Sequence, residues 1–566
     1  MQETAGFYKE KLILPVLHNK EELKEKFLEY FPYDTGVDEL IEDIEEKLGE
    51  SFFKNINRFI FEYPYVEKEW REIYSLHYCK TNYTKATPFV FRVHLVNKNI
   101  ESIDELEGGR WEPYLGYITI RPIPTSFISK IVIKPSREFY EIKDSEKLFM
   151  ITTKQKVHIG NVEIEFPAFP FFSQDSMVTV CAHANVLMIA NIMHNRYGLD
   201  EISVEKLISG ITPSYSGRKI PSEGINMEQL AYCLQKNNWY VRIKGFTNSD
   251  LYLFSWDDVP ENNKELIQSL NNVLNVEQVE NAEINKSDDK KTITVTTGKN
   301  SLRFKINEEE DQIILTINGE EKYGYPLILK KDKGKLKIYA GNTAYNFEEI
   351  IKHIDAYIES GIPCILAFEE QVVVIGGHTI NENKERDYIF FDDSGAHFVG
   401  TFGKPPKFST NISTKKLREK IMNVTTPIFL LCPEFERVHF PLKSVNTMMG
   451  KLAIVVNQLG ENEIAKIFMN KKHRIILMDV KELKKFFLKN NINTFNNCNF
   501  PHYVWCVELY RAKRGNPDNL IGYVFFDASA HQYDYNYSCI RDCNGHLVIE
   551  PKGVGKDRII SLLEKF

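Results

Sequence analysis

The chain has 566 residues, 43% hydrophobic and 26% charged. That is the balance of a soluble globular protein with room for roughly two to four domains. Net charge is −7 and no basic face stands out, which argues against nucleic acid as a partner. No apolar run approaches the ~18 residues of a membrane span, and the start lacks a basic segment followed by a long apolar one, so neither a span nor a signal peptide is expected.

Residues 1–65 read as helical, since KEELKEKFLEYF and VDELIEDIEEKL place apolar residues at helical spacing. From Pro88 the pattern changes: PFVFRVHLV, GYITIRPI, SKIVIKP and KVHIGNVEIEF read as strands. Residues 1–155 are therefore expected to form an α+β N-terminal region. A helix is expected from Cys181 to about Tyr197, stopped by Gly198. A second follows in ISVEKLI, and a third in GINMEQLAYCLQKNNW, where Asn226 and Gln229 have capping-box spacing. Residues 275–340 alternate, carry charge and are broken by turn signals, as in a small peripheral β insertion. NFEEIIKHIDAYIESG then gives a helix, and PCILAFE, QVVVIGG and DYIFFDD give three strands. From about 425 the chain holds the strand candidates PIFLLC, KLAIVV and RIILMDV, the amphipathic helix KELKKFFLKNN, and a hairpin over YVWCVELYRAKRGNPDNLIGYVFFDAS. The expected fold class is α+β: the N-terminal region, a core over 156–425 bearing the β insertion, and an α/β C-terminal region over 426–566.

Nine cysteines are scattered and none forms a C-x-x-C pair, which fits a reduced cytoplasmic protein. One of them stands apart. In FFSQDSMVTVCAHANVLMIANIMH, Cys181 opens the long apolar helix. A helix N-terminus lowers a thiol pKa through its dipole and unpaired N–H groups. The Cys181 N–H can also face a developing oxyanion, and the Gln174 amide supplies a second donor. The bland alternative is a small buried hydrophobe on a core helix; the polar run Ser173–Ser176 just upstream favours chemistry.

SQDSMVTVCAHANVLMIA resembles the nucleophile segment of papain-like cysteine peptidases, and is closest to the C39-like bacterial branch, where a glutamine precedes the cysteine by a few residues. GIPCILAFEEQVVVIGGHT followed by DYIFFDDSG resembles that group's later segment. The resemblance covers roughly 165–260 and 345–400. It implies a papain-like core, a central helix packed on an antiparallel sheet, and thiol chemistry on peptide or isopeptide bonds. A histidine would head one strand and an Asp or Asn would end the next. That assigns Cys181 as nucleophile, Gln174 to the oxyanion, His378 as the nearest histidine, and Asp392, or alternatively Asp393, as its orienting carboxylate.

The chain departs from that pattern at the strand head, where Glu370 and Gln371 stand. If QVVVIGG and DYIFFDD pair as a hairpin, Asp392 lies across from about Gln371, with His378 roughly 20 Å away at ~3.3 Å per residue. His502 heads another strand, and Asp527 ends the strand expected to pair with it, so these two form an alternative set. His183, two residues along the helix, points away from Cys181.

His531, Cys539, Cys543 and His546 match no strong zinc spacing, so no metal is expected. Phosphate loops and serine elbows are absent from the sequence, and no cofactor is expected. The first functional expectation is a cytoplasmic thiol hydrolase acting on a peptide or protein substrate, without nucleic acid or membrane. The alternative is a catalytically degenerate scaffold that binds a peptide or protein partner.

Overall fold

The computed structural model describes most of residues 12–531; outside the described residues lie both ends, 1–11 and 532–566, and internal runs, the longest being 256–282, 394–401, 459–472, 491–499 and 511–519. The chain is α+β, with twelve α-helices among the described residues and sheets whose paired strands run antiparallel.

The first helices are α1 (Lys20–Tyr30) and α2 (Val37–Leu48), as their periodicity requires. Asn19 caps α1, its side chain accepting from the Glu22 N–H. The helical expectation for 1–65 fails after Phe53, the end of α3 (Glu50–Phe53). RFIFEYPY forms a strand because its aromatic and β-branched residues suit a half-buried pleat better than a helix. With β1 (Val16–Leu17), this strand β2 (Arg58–Tyr65) joins β3 (Val90–Val96), β4 (Tyr114–Ile120), β5 (Ile128–Ile133), β7 (Thr153–Ile159) and β8 (Val162–Phe172) in one sheet, ordered β1-β2-β3-β4-β5-β8-β7. Leu23, Phe27, Leu40, Ile44 and Leu48 of the two helices are buried in one core with Phe59, Phe61 and Phe91. Two short helices, α4 (Lys68–Leu76) and α5 (Arg137–Tyr140), lie between its strands in the chain. The sheet runs on to Phe172, so the boundary expected at 155 falls inside it.

Strand β6 (Lys147–Met150) leaves that sheet and pairs with the core. The core sheet contains β9 (Tyr240–Phe246) and, after the insertion, β18 (Cys364–Phe368), β19 (Gln371–Ile380), β20 (Arg386–Phe391), β21 (Ser409–Ser413) and β22 (Ile428–Glu434). Its order is β21-β20-β19-β18-β22-β9, with β6 alongside the far half of β19. The β insertion is present as β10 (Leu251–Ser255), β11 (Glu283–Lys286), β12 (Thr292–Thr297), β13 (Asn300–Asn307), β14 (Gln312–Ile317), β15 (Glu320–Lys322), β16 (Leu327–Asp332) and β17 (Lys335–Ala340). These strands make a five-stranded and a three-stranded sheet of their own.

The helix opened by Cys181, α6 (Cys181–Tyr197), is buried on all sides from Ala182 to Ala190 and exposes polar residues only in its last turns, so its first turns must be covered. It packs against β8 of the N-terminal sheet and β19 of the core sheet. Gly198 ends it in the left-handed region at φ 70°, its N–H donating to the His194 carbonyl. Then come α7 (Val204–Gly210) and α8 (Met227–Lys236), the latter with the capping box complete: Gln229 N–H to Asn226 Oδ1 at 2.8 Å and Asn226 N–H to Gln229 Oε1 at 3.1 Å. Helix α9 (Thr343–Glu359) precedes β18, and α10 (Thr414–Asn423) follows β21.

The expected strand KLAIVV is instead part of a helix, α11 (Leu442–Gln458). Leu442, Val445, Met449 and Leu452 are buried while Ile454 is 53% exposed, a helical spacing that a short apolar run hides. The C-terminal sheet, β23 (Arg474–Asp479), β24 (Tyr503–Tyr510) and β25 (Leu520–Asp527), follows with α12 (Val480–Asn490) after β23. It docks on the end of α9, where the Leu477 N–H donates to Ser360 Oγ at 2.7 Å and Arg474 pairs with Glu359.

No helix among the described residues is long and apolar enough to cross a membrane.

Candidate functional site: a thiol at a helix N-terminus

The segment between β8 and α6 is held rigidly before it delivers Cys181. Asp175 is buried, and its carboxylate accepts from the Val178 N–H, the Thr179 N–H at 2.6 Å, the Thr179 hydroxyl at 2.7 Å and the Tyr78 hydroxyl at 3.0 Å. Beneath it lies Arg121, fully buried. Its guanidinium donates to the carbonyls of Ile128 (2.8 Å), Gln174 (3.0 Å) and Ser173. The Ser126 hydroxyl also donates to the Gln174 carbonyl, at 2.7 Å. Gln174 is thus fixed through its backbone.

Cys181 is partly buried at the first turn of α6, against the head of β19. Its thiol donates to the Val372 carbonyl at 3.0 Å. Asn185, one turn further on, clamps the contact: its Nδ2 donates to the Cys181 carbonyl at 2.8 Å and to the Val372 carbonyl at 2.9 Å. A thiol that spends its hydrogen on a carbonyl is held in its neutral form. Burial pushes the Cys181 pKa up strongly, and the neighbouring Asp393 carboxylate pushes it further. Both effects oppose the help expected from the helix N-terminus, and together they outweigh the Val372 backbone, which lowers the pKa.

The carboxylate that reaches this thiol is Asp393. Val374 pairs with Phe391 and His378 with Tyr388, a bulge lying between Ile375 and Gly377. Continued two residues on, the register sets Asp393 alongside Val372, and Asp392 is not opposite Gln371 as expected from sequence. Asp393 is 1% exposed and its pKa is pushed up to about 7, first by burial and then by the charge of Asp392, with the Cys181 thiol opposing. Apart from the Cys181 thiol and its own backbone N–H, nothing among the described residues meets its carboxylate oxygens. The Ser173 hydroxyl donates to its backbone carbonyl at 3.2 Å. Asp392 is buried too, with its N–H on the Phe408 carbonyl at 3.1 Å.

The histidines are elsewhere. Six residues of β19 separate His378 from Val372, about 20 Å. Its Nε2 lies 3.1 Å from Glu359 Oε1, and its ring stacks on Phe149 with centroids 5.2 Å apart. Glu359 also pairs with Arg386 and Arg474, so His378 belongs to a buried ionic group that joins the core to the C-terminal sheet. His378 therefore does not meet Cys181 or Asp392. His502 and Asp527 lie at one end of the β24–β25 pair, as expected, but their side chains turn to other partners. Asp527 Oδ1 accepts from the Ser529 N–H (2.7 Å) and hydroxyl (2.5 Å), and the exposed His502 ring stands edge-on to Tyr503. Their sheet meets the core at the Glu359 end of β19, away from Cys181. His183 is fully buried; its Nδ1 accepts the Val180 N–H at 3.2 Å, and burial pulls its pKa down to about 4.

Gln174 and Asp393 do share a cavity of about 460 Å³, lined also by Asp43 and Lys47 of α2, Thr125, Ser126, Phe127, Ser173 and Ser176. The sequence reading missed Arg121, Asp175 and Asn185. Asp175 lay within the polar run Ser173–Ser176, and Asn185 left a local trace as an amide one turn after Cys181 in a mostly apolar helix.

Glu370, Cys539, Cys543 and His546 lie outside the described residues. Among the described ones, no three His, Cys, Asp or Glu side chains gather to hold a metal. No family model, curated protein or solved structure matches the chain.

Proposed function

We propose that the chain is a papain-like scaffold that binds a peptide or protein partner without cutting it. One observation carries this reading: the Cys181 thiol donates to the Val372 carbonyl at the strand head, where such a peptidase would present its imidazole. A cysteine nucleophile needs a base within hydrogen-bond reach to become a thiolate. The groups around Cys181 are instead a carbonyl, the Asn185 amide and the Asp393 carboxyl. The carboxyl raises the thiol pKa, the reverse of what an imidazolium does. The α6 helix covered by the core sheet, and the Gln174–Cys181 spacing, support the papain-like reading of the scaffold.

The test is the rate of Cys181 alkylation by iodoacetamide against pH, with Cys181→Ala as blank. Labelling is expected only near or above the ordinary thiol pKa of about 8.5. Fast labelling well below that pH would restore the thiol-hydrolase reading, and replacing His378 and His502 in turn would then identify the base.

A further inference from the structure

Around Cys181 most of the buried polar atoms without a hydrogen-bond partner are acceptors; the exceptions are the Nε donors of Arg121 and of His183, whose Nδ1 is taken by the Val180 N–H. Oδ1 of Asn185 and Oε1 of Gln371 receive no hydrogen bond from the described residues, and the Asp393 carboxyl is met only by the Cys181 thiol and its own backbone N–H. The Asn185 assignment is fixed by its Nδ2, which already serves two carbonyls. Buried acceptors left unmet cost free energy, so such a cluster suits a ligand rich in donors. The cavity beside it has matching chemistry. Asp393 and Asp43 bring two carboxyl groups against the single ammonium of Lys47, one turn from Asp43 on α2. Ser126, Ser173, Ser176 and Thr125 surround them with hydroxyls, and Phe127 and Phe171 supply apolar wall. Its volume, about 460 Å³, is that of a site for a side chain or chain end rather than a single ion.

We propose that this cavity takes up a cationic nitrogen of a peptide, either its N-terminal ammonium or a lysine ammonium, with Asp393 and Asp43 as the anionic partners. An ammonium carries three donors and no acceptor, which complements the two carboxyl groups and the hydroxyls that line the cavity. The walls fit the methylene stem of such a side chain. This rests on the reading that the scaffold binds peptides, and it names the part of the peptide that is recognised.

The experiment is calorimetric titration of the full chain at pH 7.5, where Asp393 is mostly ionised and a peptide α-ammonium is still mostly protonated, with four forms of the tripeptide amide Ala-Lys-Ala: N-terminus free or acetylated, and lysine kept or replaced by norleucine. The form with neither cation is expected to bind at least ten-fold more weakly than the doubly cationic form. Loss on acetylation alone assigns the chain terminus, and loss on norleucine replacement alone assigns the side chain. Asp393→Asn and Asp43→Asn are each expected to weaken the cationic form at least ten-fold. Asp43→Asn, on a helix at the surface, keeps the test open if the buried variant fails to fold. Equal binding by the neutral form, binding unchanged in both variants, or no binding by any of the four overturns the proposal. Slow Cys181 alkylation together with no tripeptide binding sinks the cation proposal alone; rapid alkylation at low pH sinks the non-cutting reading alone.

Discussion

Replacing Arg121 by methionine tests whether one buried cation organises the thiol site. Arg121 donates to four backbone carbonyls, those of Ser126 (3.4 Å), Ile128, Ser173 and Gln174. It also donates to the Ser126 hydroxyl at 3.1 Å, and it lies 5.5 Å from the Phe172 ring centroid. These hydrogen-bond partners are carbonyls and a hydroxyl, with no carboxylate among them. Bonds from a charged donor are worth about 1.5–3 kcal/mol each. Methionine also escapes the several kcal/mol needed to desolvate a guanidinium, which offsets much of that gross loss. The balance is a local destabilisation of about 3 kcal/mol, concentrated on residues 173–180. In amide hydrogen exchange this is a fall in protection of about two orders of magnitude. The amides to follow are those of Ser173, Ser176, Val178 and Thr179, each bonded within the described structure. Arg121→Lys keeps the charge but not the planar fork, so it should not restore protection. A fall of less than ten-fold in Arg121→Met, or full rescue by lysine, would refute the argument.

Two further outcomes follow from the electrostatics. Asp393→Asn removes the second cause of the raised Cys181 pKa but leaves burial, the larger one, so the onset of alkylation should move to lower pH while staying above the ordinary thiol value of about 8.5; an unmoved onset would mean that Asp393 does not act on the thiol. Burial alone would raise the pKa of Glu359, but the His378 hydrogen bond and the Arg474 and Arg386 guanidiniums outweigh it and hold the carboxyl well below its usual range. A depressed carboxyl pKa contributes stability that is present above the unfolded value of about 4.3 and is lost as pH falls through the folded value. Glu359→Gln should therefore cost about 3 kcal/mol at pH 7 in urea unfolding, and the difference from the native chain should shrink below about pH 4; a constant difference across that range would point to packing, not charge.

The parts of the fold written in short-range pattern were legible. Helix α6 and its Gly198 stop, the Asn226–Gln229 box and the hairpin β19–β20 follow from periodicity and cap chemistry within a few residues. The parts that depend on distant partners were not. RFIFEYPY, whose residues suit a pleat, is fixed as a strand by β1 and β3 on either side; KLAIVV, by contrast, is a local pattern read over too short a window, since the helical spacing of Leu442, Val445, Met449 and Leu452 extends beyond the six residues that suggested a strand. At the site, the separation of His378 from Asp392 was readable from strand rise alone, but the place of Cys181 against Val372 was not. The choice of Asp393 over Asp392 was not, since it turns on a bulge at Gly376. Arg121 reaches the site from a sheet strand's end more than fifty residues upstream, and its carbonyl partners carry no sequence signal.

The crossing of β6 into the core sheet has a consequence for synthesis. Residues 147–150 pair with 377–380, so a strand made early must wait until its partner emerges. At 5–20 residues per second, that delay is roughly 10–45 s. Strand β9 waits in the same way for β22, with the whole β insertion made in between. A nascent chain thus carries two unpaired strand edges through much of its translation, the condition under which edge-to-edge association competes with folding. The charged strands of the insertion emerge during that interval, before the sheet can close.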